Sequence, residues 1–154
     1  SVQYYEDVEI GKVSRFGAYP VERDAVIAFA EAYDPQPFHL DDAAAEQTYF
    51  GRLSASGWHT ACMVMRMVVD EMQAGEGRAG LGSPGIDELR WVKPVYPGDT
   101  LRCESVVTEK RRSRSRPEMG IIKTQLTAFN QLDEVVMTYI ANGLVATRDP
   151  GGSD

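Results

Sequence analysis

The sequence predicts an α+β chain in which an antiparallel sheet wraps around one long central helix. Three observations carry this. Residues 58–73 are apolar nearly all round, interrupted by Arg66, and a helix without a broad polar face is a buried one. From Ile86 onward the apolar period changes to two, the spacing of strands. Helical patterns fill the first half and strand patterns the second, a segregation typical of α+β arrangements.

Taken in order, residues 4–12 read as an irregular lead-in ending at Gly11, followed by a first strand over Val13–Val21. Glu22 to Tyr33 places Val26, Ile27, Phe29, Ala30 and Tyr33 at helical spacing, with Glu22 and Asp24 in the first turn. Pro35 and Pro37 stop this helix. The segment between them is stiff, because two prolines fix φ within three residues. Asp41–Gln47 reads as a short helix capped by Asp41 or Asp42. A loop over 49–57 leads into the central helix, and a glycine-rich loop over 74–82 ends it. Strands are expected over Ile86–Lys93, Leu101–Thr108, Met119–Phe129 and Val135–Thr147, with a turn at Pro94–Asp99.

The chain has 154 residues, 43% of them apolar and 25% charged, with a formal charge of −7. The length suits one domain over 1–154, with a core at about 5–147 and a flexible tail at 148–154. No apolar run approaches the roughly 20 residues needed to span a bilayer, and residues 1–10 do not read as a secretory signal. Cys62 and Cys103 make neither a disulfide framework nor a zinc site, so a cytoplasmic setting is expected. The charge is uneven. Residues 110–116 (KRRSRSR) hold five of the 16 basic residues, leaving 11 basic against 23 acidic elsewhere, a balance of −12.

Two features offer chemistry. Asp34 and His39 lie five apart across the doubly proline-stiffened loop, and acid–base work needs two such groups at a fixed separation. The same spacing suits an Asp that caps a turn and a His that packs with its nitrogens satisfied. Ser56-Gly57 precedes the central helix, whose first amides lack intrahelical partners and carry partial positive charge. Such amides can stabilise an oxyanion; a plain helix cap reads equally well there.

Three segments resemble one known family. Residues 33–41 (YDPQPFHLD) look like the motif of the MaoC-like (R)-specific enoyl-CoA hydratases, commonly Gly-Asp-x-Asn-Pro-(aliphatic)-His, with the same Asp-to-His spacing. Residues 50–57 (FGRLSASG) follow at a family-like distance, and residues 91–101 (WVKPVYPGDTL) are similar to a turn common in hot-dog proteins. The resemblance implies a hot-dog fold and a homodimer with sheets joined edge to edge, with a trimer of dimers as a further assembly. It implies reversible addition of water at the 2,3 position of an acyl-CoA thioester, work of fatty acid metabolism. Coenzyme A would arrive with the substrate, and no separate cofactor, metal, nucleic acid or membrane is expected. Carried over by position, Asp34 and His39 would be the catalytic pair and the Gly57 N–H the oxyanion hole. Gln36, Phe38, Ser56, Trp58 and Met65 would meet substrate. Tyr33, Gln36 and Met65 depart from the pattern, and Tyr33 and Met65 add bulk that would reshape the acyl pocket.

Other features have plainer readings. His59 would be a satisfied core histidine or a pocket residue. His39, Asp41, Asp42 and His59 match no standard ligand spacing. The methionines at 63, 65, 67 and 72 suit adaptable packing or an acyl tunnel. The basic run reads as an exposed edge loop, or as a contact for coenzyme A phosphates through Arg111 and Arg112. Competing functions are a hot-dog thioesterase and a non-catalytic acyl-CoA-binding module.

Overall fold

The computed structural model describes residues 1–75 and 77–153. Glu76, in the expected glycine-rich loop, and Asp154, in the tail, lie outside the described residues. Five strands make one antiparallel sheet: β1 (Val13–Pro20), β2 (Gly80–Trp91), β3 (Thr100–Arg112), β4 (Met119–Phe129) and β5 (Val135–Ala146). Their order is β1-β3-β4-β5-β2, which leaves β1 and β2 at the edges. The helices are α1 (Arg23–Tyr33), α2 (Asp42–Glu46) and α3 (Gly57–Ala74).

The sheet packs against α3, the hot-dog arrangement. Met63, Val64 and Met67 of α3 share one core with Leu101, Cys103, Leu126, Ala128 and Met137 of the sheet and Val26 of α1. These are the i, i+1 and i+4 positions of one helix face, so burial follows the helical period. A second, smaller core joins Tyr5 and Val8 of the lead-in to Val107, Ile122 and Val145.

Three expectations are corrected. First, α3 buries one face only: Trp58, Cys62, Met65 and Met72 are exposed. Their spacing of four, three and seven residues makes a second apolar stripe, which in sequence blurs with the first into an all-round pattern. Second, β2 begins at Gly80, well inside the expected glycine-rich loop. Gly82 and Gly85 take positive φ at register shifts along β2, and this irregularity hides the strand period. Third, Lys110–Arg112 is strand rather than loop. These residues end β3 and pair with Ile122, Ile121 and Gly120 of β4, beyond the stretch of β3 that pairs with β1, which stops at Val106. Lys110 and Arg112 lie over the Tyr5 ring, at 4.8 and 5.2 Å from its centroid, and clamp the lead-in to the sheet.

The tail is tied at its start. The backbone amides of Arg148 and Asp149 donate to the Glu6 carboxylate, and the Arg148 guanidinium pairs with Asp7. No helix among the described residues is long and apolar enough to cross a membrane.

Candidate active site

The proline-stiffened segment turns as its composition demands. Asp34 caps α1 with φ −149° and ψ 64°, and its amide still donates to Ala30 O. Pro37–His39 then forms a single 3₁₀ turn, closed by the Leu40 amide on Pro37 O. This turn brings His39 back beside Asp34: His39 Nε2 stands 3.6 Å from Asp34 Oδ2. That is too long for a direct hydrogen bond.

Each member of the pair is held separately. His39 is buried, and its Nδ1 lies 2.7 Å from Ser54 O. A carbonyl can only accept, so Nδ1 carries the proton and Nε2 is the nitrogen facing Asp34. Asp34 accepts from Ser56 Oγ at 2.7 Å on Oδ2 and from Gln36 Nε2 at 2.6 Å on Oδ1. Partial burial pushes the Asp34 carboxyl up. The bonds from Ser56 and Gln36, with the nearby His39 charge, outweigh it and hold the carboxyl below the usual range.

The loop before α3 is fixed from outside. Ala55 N donates to Val95 O at 2.8 Å, and Tyr96 Oη donates to Phe50 O at 2.6 Å. The Pro94–Asp99 turn supplies the acceptor of the first bond and the donor of the second, and its far end accepts from Val21 N at Asp99 O. Asp42 closes the other side, accepting from Leu53 N and pairing with Arg23 of α1 at 2.8 Å. The three segments singled out in the sequence therefore meet at one place, the turn bracing the loop that carries the His39 anchor.

The expected site residues separate into groups. Asp34, His39, Ser56 and Gly57 come together, Gly57 as the first residue of α3 directly after Ser56. Ser56 occupies the N-cap position of α3, but its hydroxyl makes no capping bond and goes to Asp34. Gln36 likewise spends its amide on Asp34. Phe38 meets the His39 ring edge-on at 4.6 Å and stacks on Phe50 at 5.0 Å, forming an apolar wall. Trp58 is 61% exposed on the first turn of α3. Met65 is eight residues along α3 from Gly57, about 12 Å by helical rise, and half exposed. Arg111 and Arg112 lie at the opposite end of β3 from the turn, about 40 Å along a strand of this length. The cavity there, of about 410 Å³, is lined by Tyr5, Glu6, Ile10, Lys110, Arg112 and Ser153.

His59 is buried, its ring stacked on Phe29 at 4.8 Å and 6°. Its Nδ1 has no hydrogen-bond partner, and burial pushes the imidazole below its ordinary value. Among the described residues no three His, Cys, Asp or Glu side chains gather as a metal set. Sequence reasoning did not single out Ser54, Phe50, Tyr96 or Trp91. Ser54 acts through its backbone, which leaves no side-chain signal. The other three sit inside the quoted motifs, where their aromatic character was the available clue.

The family model for the MaoC like domain matches residues 7–128, most of the chain and all of this site. The chain belongs to the MaoC-like family. The crystal structure of a MaoC-like dehydratase from Rhodospirillum rubrum superposes with a TM-score of 0.85 at 39% identity, over 96% of this chain and 99% of that one. The 3-hydroxybutyryl-CoA dehydratase of Methylorubrum extorquens is 29% identical over 119 residues, 73% of this chain and 71% of that protein. The mesaconyl-CoA hydratase of Cereibacter sphaeroides is 33% identical over 106 residues, 62% of this chain. The match spans only 31% of that longer protein.

Proposed function

We propose that this MaoC-like chain is a lyase that adds water to, or removes it from, the 2,3 position of an acyl-CoA thioester. The observation that carries the reading is the Asp34 Oδ2 to His39 Nε2 separation of 3.6 Å. A water oxygen can stand within hydrogen-bond reach of both groups at that gap. The names of the relatives support the same chemistry on CoA thioesters.

In the hydration direction, Asp34 takes one proton from the water as its oxygen bonds to Cβ. The π electrons move to Cα, and the thioester oxygen gains negative charge in the transition state. The Gly57 N–H, an orphan amide at the positive end of α3, donates to that oxygen. His39, when it carries a proton on Nε2 as well as on Nδ1, delivers the Nε2 proton to Cα. The proton now on Asp34 returns to His39, and the sum is one water added. Ser56 and Gln36 act as positioning residues that keep Asp34 ionised. Dehydration runs the same steps in reverse.

The same reading carries a homodimer. Edge strand β2 exposes Leu81, Ile86 and Trp91, and Met65 and Met72 expose the second stripe of α3. An open apolar edge of this kind invites pairing with a second copy.

The test is hydration of crotonyl-CoA and longer enoyl-CoAs, followed by loss of enoyl-thioester absorbance. Activity in the wild type with a drop of about 10²-fold or more in Asp34→Asn and in His39→Ala is expected. Full rate in both variants refutes the site. Release of free CoA thiol without 3-hydroxyacyl product refutes the reaction.

A further inference from the structure

Trp91 ends β2, and its indole lies against Gly57, the first residue of α3. A Cβ built on Gly57 would fall 2.5 Å from Cε2, 2.7 Å from Cδ2 and 2.9 Å from Nε1 of that ring. Adding one carbon–carbon bond puts Nε1 within about 4.4 Å of the Gly57 Cα. The φ of Gly57 lies outside the left-handed region, so its backbone would accept any residue. The glycine is required by the indole alone.

The indole N–H is a donor with no acceptor role. Trp91 is 45% exposed, so this N–H is open to a ligand. Trp91 Nε1 has no partner among the described residues, although the ring is pinned from a second side. Trp58 meets it edge-on, with centroids 5.1 Å apart and planes at 80°. The Trp91 indole thus stands against Gly57, held by Trp58, with an N–H that no described residue takes.

We propose that the Trp91 indole N–H is a second donor to the thioester oxygen, beside the Gly57 amide. The proposal rests on the hydration reading above. A developing enolate oxygen has more than one lone pair, and a single amide serves one of them. A second fixed donor stabilises charge that exists only in the transition state, which raises kcat rather than affinity. Trp91 is on this account a catalytic residue, and the close fit to Gly57 is what sets its distance.

The experiment compares Trp91→Phe with wild type on an enoyl-CoA that the wild type hydrates. Phenylalanine keeps an aromatic ring on Gly57 and removes the N–H. The expected result is a fall in kcat of about 10²-fold, the usual effect of one oxyanion donor, with KM little changed. A saturated acyl-CoA labelled with ¹³C at the thioester carbon gives a readout free of turnover. Its carbonyl resonance is expected to move downfield on binding wild type, and less on binding Trp91→Phe. Trp91→His restores a ring N–H and is expected to recover part of the lost kcat. Wild-type kcat and carbonyl shift in Trp91→Phe overturn the proposal, as do equal losses in the Phe and His variants. A wild type that hydrates no enoyl-CoA overturns the hydration reading, and this proposal with it.

Discussion

Removing the Ser56 hydroxyl isolates how Asp34 is held. Ser56→Ala deletes the 2.7 Å bond to Asp34 Oδ2 at a fully buried position. It takes no capping bond from α3, because none is made, so helix loss does not confuse the result. A hydrogen bond to a charged group is worth about 1.5–3 kcal/mol. Gln36 still donates to Oδ1, which points to the lower end of that range. Converted to rate, the loss is roughly tenfold in kcat/KM. The pH dependence gives the sign. The donors hold the Asp34 carboxyl down against burial. Without Ser56, burial gains weight and the carboxyl moves up, so the acid limb of the pH–rate profile shifts toward neutral. Stability follows the same sign. A carboxyl lowered in the fold contributes stability above its unfolded value of 3.8, lost as pH falls through the folded value. That contribution shrinks in the variant. The assays are kcat/KM against pH and thermal melts at neutral and acid pH. An unchanged rate with an unchanged acid limb would refute the idea that Ser56 keeps Asp34 ionised.

His59→Phe should be neutral or stabilising, since it removes an orphaned buried nitrogen costing about 1–3 kcal/mol and keeps the stack on Phe29. With the His59 value pushed below 6.5, wild-type stability falls as pH drops under 6.5, and melts of the variant should lose that part of the slope. Gly120→Ala should destabilise by about 1–3 kcal/mol in chemical denaturation, because its new methyl would collide with the Tyr5 ring, which Lys110 and Arg112 hold in place. Arg112→Ala should lower the melting temperature, since the guanidinium also donates to Asp149 O at 2.9 Å. A raised KM for acyl-CoA with an unchanged melt would instead assign it to coenzyme A. Ile86→Glu should lower the oligomeric mass seen by light scattering, and an unchanged mass would refute pairing through β2.

The fold was legible where local pattern and tertiary role agree. β4 buries alternate residues over most of its length, and the expected strands there match the observed Met119–Phe129 and, within a residue, Val135–Ala146 of β5. β2 was read short because register shifts and positive-φ glycines erase its period. The two faces of α3 could not be told apart because both carry apolar residues, one against the sheet and one outward. Asp34 and His39 were legible because prolines limit what the segment between them can do. The reason for Ser56 was not, since a serine before a helix looks like a cap whether or not it caps. Trp91 was invisible as a site residue because its meeting with Gly57 joins positions 34 apart in sequence.

The two members of the pair differ in what holds them. His39 is oriented by the backbone oxygen of Ser54, and every amino acid supplies that oxygen. Asp34 is oriented by side chains, Ser56 and Gln36. Substitution at 54 therefore leaves the imidazole anchor in place, while substitutions at 36 and 56 retune the carboxylate. Variation among descendants of this chain can adjust the acidity of one partner while the tautomer of the other stays constant.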